Sequence, residues 1–264
     1  MHLLRQGSTG GRSGASKPAS ELVAAYRLAA SSAPPGSEDF SFDDLFRLSS
    51  QVQVEVASEV PAKEWEAALG GEPGARRRVV RALFWPLVYH LRPHLWDRMA
   101  SLEPINPELL DALPQHASRV LEVGAGGGRL TVHLAPRADD MVAIEPAPVL
   151  RRLLRRRFCG VDVVGARREA IPIDNSWADL SIACSSMSPD PAALAEMERC
   201  TRRGGMIILI SPLRPEWFEE RGFKRRSFPP GAVSMPPCDP ELERFFGPRV
   251  PPSELLWRRR VEPT

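Results

Sequence analysis

The sequence predicts an α/β fold, a doubly wound and mostly parallel sheet carrying a helical extension on its N-terminal side. Three observations support this. Between residues 120 and 210, short apolar runs alternate with helix-length amphipathic segments. A cluster of glycines, Gly124, Gly126, Gly127 and Gly128, stands at the first strand-to-helix junction. Upstream, residues 75 to 100 repeat apolar side chains at helical spacing. The length of 264 residues allows one large domain or two small ones, and 43% hydrophobic residues are ample for a buried core. The expected organisation is a disordered tail over 1–35, a helical cap over 36–115 and a ligand-binding α/β domain over 116–264.

In chain order, the first twenty residues are rich in Gly and Ser, with Arg5, Arg12 and Lys17 and no acid before Glu21. That composition predicts disorder, and it also fits an organellar transit peptide. No apolar run approaches the roughly 18 residues of a membrane span, and residues 1 to 10 lack the apolar core of a signal peptide. A soluble cytoplasmic protein without membrane contact is expected. Helical fragments at Glu21 to Ala30 and Asp39 to Leu48 alternate with Pro/Ser linkers. In 75–100, Val79, Leu83, Leu87, Leu91 and Leu95 mark one helical side, which Pro86 and Pro93 should kink or split. His90 and His94 stand four apart, as metal ligands on one helix face could. The intervening Pro93 and the missing carboxylate argue against that, so no metal is expected. The four cysteines form no C-x-x-C pair, which speaks against structural zinc and a disulfide scaffold.

Val120, Leu121 and Val123 read as an inner parallel strand, and Leu130, Val132 and Leu134 as the helix that follows the glycines. Glycines allow a sharp turn and close backbone approach, and a helix start offers free N–H groups, so a nucleotide-like ligand is expected here. Spacing narrows its identity. A dinucleotide fingerprint counted from Gly124 would need glycine where Arg129 stands, and no Gly-Lys-Ser/Thr closes the turn. What remains is acidic-x-G-x-G-x-G, formed by Glu122, Gly124, Gly126 and Gly128. A second strand, Met141 to Ile144, ends at Glu145, close to the distance of about 20 residues at which such an acid reaches ribose hydroxyls. Val161–Val164, Leu180–Cys184 and Met206–Ile210 are the further strands, with a helix over Pro191–Cys200. The segment Val149 to Phe158 reads as a helix burying Leu150, Leu153, Leu154 and Phe158, with five arginines either in water or facing RNA.

Residues 120 to 211 resemble the small-molecule type of class I S-adenosylmethionine-dependent methyltransferase. The segments that carry the resemblance are Val120-Leu-Glu-Val-Gly-Ala-Gly-Gly-Gly128, Ile144-Glu-Pro146, Glu169-Ala-Ile-Pro-Ile173, Ala178-Asp-Leu-Ser-Ile182 and Glu198-Arg-Cys-Thr-Arg-Arg-Gly-Gly205. The resemblance implies a Rossmann-like, seven-stranded sheet closed by a hairpin from Glu220–Lys224 and Glu254–Arg258, and S-adenosyl-L-methionine as cofactor. It implies that Glu122, Gly124, Ala125, Gly126 and Gly128 meet the methionine part of that cofactor. Glu145 and Pro146 would then border the ribose, Arg168 and Glu169 the adenine, and Ser185 would end the fourth strand beside the ligand. One position departs: Arg167 stands where such enzymes often carry an aspartate that accepts from the adenine amino group, and a guanidinium has donors only. The fourth strand runs into Ser185-Ser-Met-Ser-Pro-Asp190 rather than Asn/Asp-Pro-Pro-Tyr/Phe, which disfavours planar amines as acceptors. Pro237–Cys238 lies too late in the chain for the nucleophile of a cytosine methylase. No catalytic residue is assigned. The expected partner is a small-molecule methyl acceptor, with RNA or a non-catalytic scaffold role as alternatives.

Overall fold

The structure is a computed structural model that describes residues 19–229, 239–248 and 251–260. The described chain divides into two compact units. One runs to Leu95 and takes in Asp239–Pro248; the other begins at Trp96 and takes in the C-terminal strands.

The first unit is helical. Its elements are α1 (Ala19–Ser31), 3₁₀ turns at Pro35–Asp39 and Phe42–Arg47, α2 (Ser50–Ser58), α3 (Ala62–Leu69), α4 (Pro73–Ala82), α5 (Phe84–Leu91) and the start of α6 (Pro93–Ser101). Part of the tail expected over 1–35 is therefore ordered helix. The helix expected over Asp39–Leu48 is replaced by 3₁₀ geometry. Phe42, Leu45 and Leu48 are all buried, a spacing of three that a 3₁₀ turn stacks on one side. Ser41 and Asp44 cap its start reciprocally. The long helical stretch splits at Leu83 and Arg92 rather than at Pro86. Pro86 sits in the first turn of α5, where its missing N–H has no intrahelical partner to lose, and Pro93 opens α6 for the same reason. His90 and His94 consequently lie on different helices. Phe84 anchors this unit's core, edge-on to Phe40 at 6.1 Å and tilted on Phe245 at 5.6 Å, the latter from the helix Pro240–Phe246.

The second unit continues through the rest of α6, α7 (Pro107–Asp111), β1 (Ala117–Val123), α8 (Thr131–Leu134), β2 (Ala138–Ile144), α9 (Pro148–Arg157), β3 (Asp162–Val164), β4 (Ala178–Cys184), α10 (Pro191–Cys200), β5 (Thr201–Ile210), α11 (Pro215–Glu219), β6 (Lys224–Ser227) and β7 (Glu254–Arg259). The strands form one seven-stranded sheet in the order β3-β2-β1-β4-β5-β7-β6. β3, β2, β1, β4 and β5 run parallel, and β7 is antiparallel to both β5 and β6. The closing strand pair implied by the resemblance is thus present as β6 and β7. Alternation along the strands builds two cores. Val120, Leu180, Ile182 and Ile208 face one side with Leu130, Leu134 and Leu154; Leu121, Val123, Ile207 and Leu209 face the other with Leu194, Met197 and Phe218.

The division between units falls at Leu95/Trp96 rather than at 115/116, because Ile105, Leu109 and Leu113 join the sheet's core. The helix after the glycine turn is shorter than its periodicity suggests. α8 spans four residues and gives way to a 3₁₀ turn at Ala135–Arg137, since Pro136 cannot continue an α-helix. Among the described residues, no helix is long and apolar enough to cross a membrane.

Candidate functional site

The parallel strands end their C-terminal edge at the glycine turn, the place where open α/β sheets bind ligands. Backbone bonds fix that turn: Gly124 N and Ala125 N both donate to Ile144 O, at 2.9 and 3.0 Å. The four glycines serve different ends. Gly126 has φ of +58° and open space around its α-carbon, with Trp96 Nε1 at 3.6 Å from the position of a Cβ. Gly127 has no such room, because a Cβ there would meet Asp97 Oδ1 at 1.9 Å. At Gly124 the obstacle would be Ser186, at 2.5 Å, and at Gly128 it would be the Phe158 ring, at 2.3 Å. Gly126 therefore faces the open side of the turn, whereas Gly128, expected to touch a ligand, instead makes room for the packing of α9.

Glu145, just past β2, is buried and bonded on both carboxylate oxygens. Gly126 N donates to Oε2 at 2.9 Å and Ala147 N to Oε1 at 2.7 Å. Burial raises its pKa, while those two backbone bonds oppose the rise. The carboxylate thus locks the turn to the β2–α9 junction, and each oxygen keeps acceptor capacity for a further donor. Glu145→Ala is expected to weaken binding of S-adenosylhomocysteine, measured by calorimetry, by about 1–3 kcal/mol. An unchanged dissociation constant would remove Glu145 from the site.

Glu122 points from β1 into the same place. It is 2% exposed, accepts from Thr131 Oγ1 at 2.6 Å, and burial pushes its pKa up to about 8. Together with Trp96, Ala100, Gly124 to Gly127, Arg129, Leu130 and Cys184 it lines a cavity of about 40 Å³. Arg129 bridges this group, paired with Glu103 and donating to Cys184 Sγ at 3.4 Å. Burial raises the Cys184 thiol's pKa, so it stays protonated at neutral pH. Trp96, Glu103, Arg129 and Cys184 were not among the residues singled out from sequence. Of these, Arg129, directly after the glycines, and Cys184, next to Ser185 at the end of the fourth strand, stood where position could have signalled a role.

The other expected residues lie around this centre. Pro146 is exposed at the β2–α9 junction. Arg168 reaches across to the loop after β4, donating to Ser186 O at 2.9 Å and Ser188 Oγ at 3.1 Å. Glu169 is gripped by Arg168 at 2.9 Å and Arg167 at 3.2 Å. Ser185, just past the end of β4, has φ of +53° and donates its N–H to Ile210 O at 2.8 Å. Strained backbone at that strand end is typical of functional loops. Among the described residues, no group of three or more His, Cys, Asp or Glu could hold a metal ion. Pro237–Cys238 lies outside the described residues.

The arginines of α9 are exposed apart from the half-buried Arg151, as the amphipathic reading expects, and three of the five also bond back to neighbouring loops. Arg151 bonds the carbonyls of Glu145 and Pro146, Arg155 bonds Val163 O, and Arg157 bonds Gly127 O and Asp97. Their aliphatic stems and fixed forks tie the helix to the loops at the sheet's edge.

Residues 120–205 match the model of a methyltransferase domain. An uncharacterised methyltransferase of Mycobacterium tuberculosis is 36% identical over 122 residues, covering 44% of this chain and 50% of that protein. A demethylmenaquinone methyltransferase of Renibacterium salmoninarum is 30% identical over 100 residues, or 37% of this chain and 42% of that one. A solved S-adenosylmethionine-dependent methyltransferase of Thermotoga maritima is 19% identical with a TM-score of 0.44, covering 64% of this chain and 93% of its own. The chain spans about half the length of the curated relatives it matches. Residues 120–205 are thus similar to a methyltransferase domain, and they lie in a seven-stranded sheet of order 3-2-1-4-5-7-6 whose seventh strand is antiparallel.

Proposed function

We propose that this protein binds S-adenosyl-L-methionine at the glycine turn and transfers its methyl group to a small molecule. The observation that carries the reading is the bond between Glu145 and Gly126 N, which sets a buried carboxylate and an open glycine side by side at the C-terminal ends of β1 and β2. The donor set suits the cofactor: two carboxylates, Glu122 and Glu145, for its ammonium and ribose hydroxyls, and a glycine surface for close contact. The cofactor supplies an electrophilic methyl group on a sulfonium, so the protein's task is chiefly to align an acceptor for in-line attack. Cys184 and Ser185, at the end of β4, are placed to border that acceptor.

A small acceptor is favoured over RNA by the fate of the arginines. Arg157 is paired with Asp97, and Arg225 of β6 with Glu216, Glu219 and Glu254, so these charges are already neutralised. Side chains so engaged release few counterions on meeting a phosphate backbone. A relative named for demethylmenaquinone agrees with a small acceptor. We place the enzyme in the cytoplasm.

One observation favours a second reading, a non-catalytic scaffold. The cavity of about 40 Å³ is far below the roughly 300 Å³ at which ligand pockets begin. Titration with S-adenosylhomocysteine decides between the two: saturable binding supports the enzyme, and no heat at millimolar ligand supports the scaffold. Arg167 does not weigh against binding, because it is exposed and its guanidinium is turned to Glu169. Arg167→Asp is expected to shift the affinity for S-adenosylhomocysteine by less than about 0.5 kcal/mol, the scale of a surface change. A gain of tenfold or so would instead mean that the adenine lacks an acceptor in the natural protein.

A further inference from the structure

The glycine turn and its acids have the chemistry for the proposed cofactor, yet the space beside them, about 40 Å³, holds only a few water molecules. Most of that cavity's walls cannot yield. β1 and β4 are inner strands of the sheet, and the turn is bonded to Ile144 O and Glu145. The remaining wall is the stretch from Trp96 to Glu103. Trp96 and Ala100 line the cavity from α6, with the Trp96 indole nitrogen 3.6 Å from the position of a Gly126 Cβ.

Two ion pairs fasten this stretch down. At its start, both carboxylate oxygens of Asp97, which is 8% exposed, are bonded by Arg157 at 2.7 Å, and the same guanidinium donates to Gly127 O at 2.7 Å. A single arginine therefore joins α9, the glycine turn and α6, and the contact is so close that any side chain at Gly127 would displace Asp97. At the far end, Glu103 pairs with Arg129, with 15% and 14% of the two side chains exposed. Ion pairs of this kind hold a geometry firmly while remaining exchangeable for water or for ligand charges, unlike a packed apolar seam.

We propose that residues 96–103 form a strap, closed over the glycine turn by the Asp97–Arg157 and Glu103–Arg129 pairs, which must release to admit a nucleoside-sized ligand and then recloses to keep water out. The proposal rests on the cofactor reading given above. It assigns Arg157 and Arg129 as positioning residues that set the rate of ligand exchange, with no contact to the reacting atoms.

The test uses the full chain, with hydrogen exchange of residues 97–103 and stopped-flow binding of S-adenosylhomocysteine as readouts. Arg157→Gln is expected to speed amide exchange in 97–103 and to raise the ligand's on- and off-rates by about tenfold each, which corresponds to about 1.4 kcal/mol of lost closure. Exchange in β1 and β4 stays as in the natural protein. Arg152→Gln, an exposed position on the same helix, is the control and changes neither. Should Arg157→Gln fold poorly, Glu103→Gln releases the other fastening with the same expected result. Unchanged exchange in 97–103, or unchanged ligand rates with faster exchange, overturns the strap. If neither natural protein nor variant binds S-adenosylhomocysteine while exchange does respond to Arg157→Gln, the cofactor reading has failed, and the strap as a gate falls with it.

Discussion

Glu122→Gln is expected to make the protein more stable at pH 8 than the natural sequence, by as much as several kcal/mol, while changing little at pH 4.5. Burial raises the folded-state pKa of Glu122 from the ordinary 4.5 to about 8. The folded protein thus keeps a proton that the unfolded chain gives up above pH 4.5. Stability from this group is fully present below that pH and falls with each further unit, by about 1.4 kcal/mol, until the folded carboxyl itself ionises near pH 8. The accumulated loss is on the order of 5 kcal/mol, an upper figure because water reaching the cavity would lower the shift. Glutamine is neutral throughout, nearly isosteric, and keeps an acceptor for the Thr131 hydroxyl. Thermal melts of both proteins at pH 4.5 and pH 8 check this, and a difference that does not change with pH would mean that Glu122 is ionised in the fold. The same logic ties the site to pH. A cation seated beside Glu122 favours its ionised form, so binding of S-adenosylmethionine should tighten between pH 6 and pH 8 in the natural protein and lose that dependence in Glu122→Gln.

Glu122 also shows what the sequence could and could not reveal. Its place two residues before Gly124, and the interval from Gly124 to Glu145, are local facts, and they correctly bring both acids to one strand edge. The five parallel strands were legible for the same reason, since each is a short apolar run bounded by turn residues, and the antiparallel strand pair at the edge was visible only through resemblance. Partners distant in sequence were not legible. Asp97 and Arg157 meet across 60 positions and Glu103 and Arg129 across 26, and no periodicity encodes such pairings. Arg157 in particular belongs to a helix whose amphipathic pattern sends arginines to water, yet three of its five arginines turn back to loop carbonyls. The helix Pro240–Phe246 joined the N-terminal unit for a similar reason: its phenylalanines pack on Phe84 and Phe40, residues some 150 to 200 positions earlier.

The glycines of the turn provide the second large expected effect, because two of them should fail in opposite ways. Gly128 has φ of +101°, outside the left-handed well that an L-residue can tolerate, and a Cβ there would lie 2.3 Å from Phe158 Cε2 and 3.2 Å from Leu154 Cδ2. Leu154 is fully buried and Phe158 packs on the same core, so neither can simply step aside. Backbone strain and overpacking together make Gly128→Ala destabilising by about 3 kcal/mol, a fall in melting temperature of roughly 6–12 °C. The fraction that remains folded should bind S-adenosylhomocysteine normally. Gly126 is different: its φ of +58° lies in the left-handed well, and nothing stands closer than Trp96 Nε1 at 3.6 Å. Gly126→Val would put two methyl groups into the cavity itself, with a β-branched residue at positive φ adding strain. Binding should be lost, even in protein that calorimetry shows to be folded. Melting curves and ligand titrations on both variants separate the roles. If Gly128→Ala melts like the natural protein and loses binding, or if Gly126→Val folds and binds normally, the assignment of one glycine to packing and the other to the ligand is reversed or wrong.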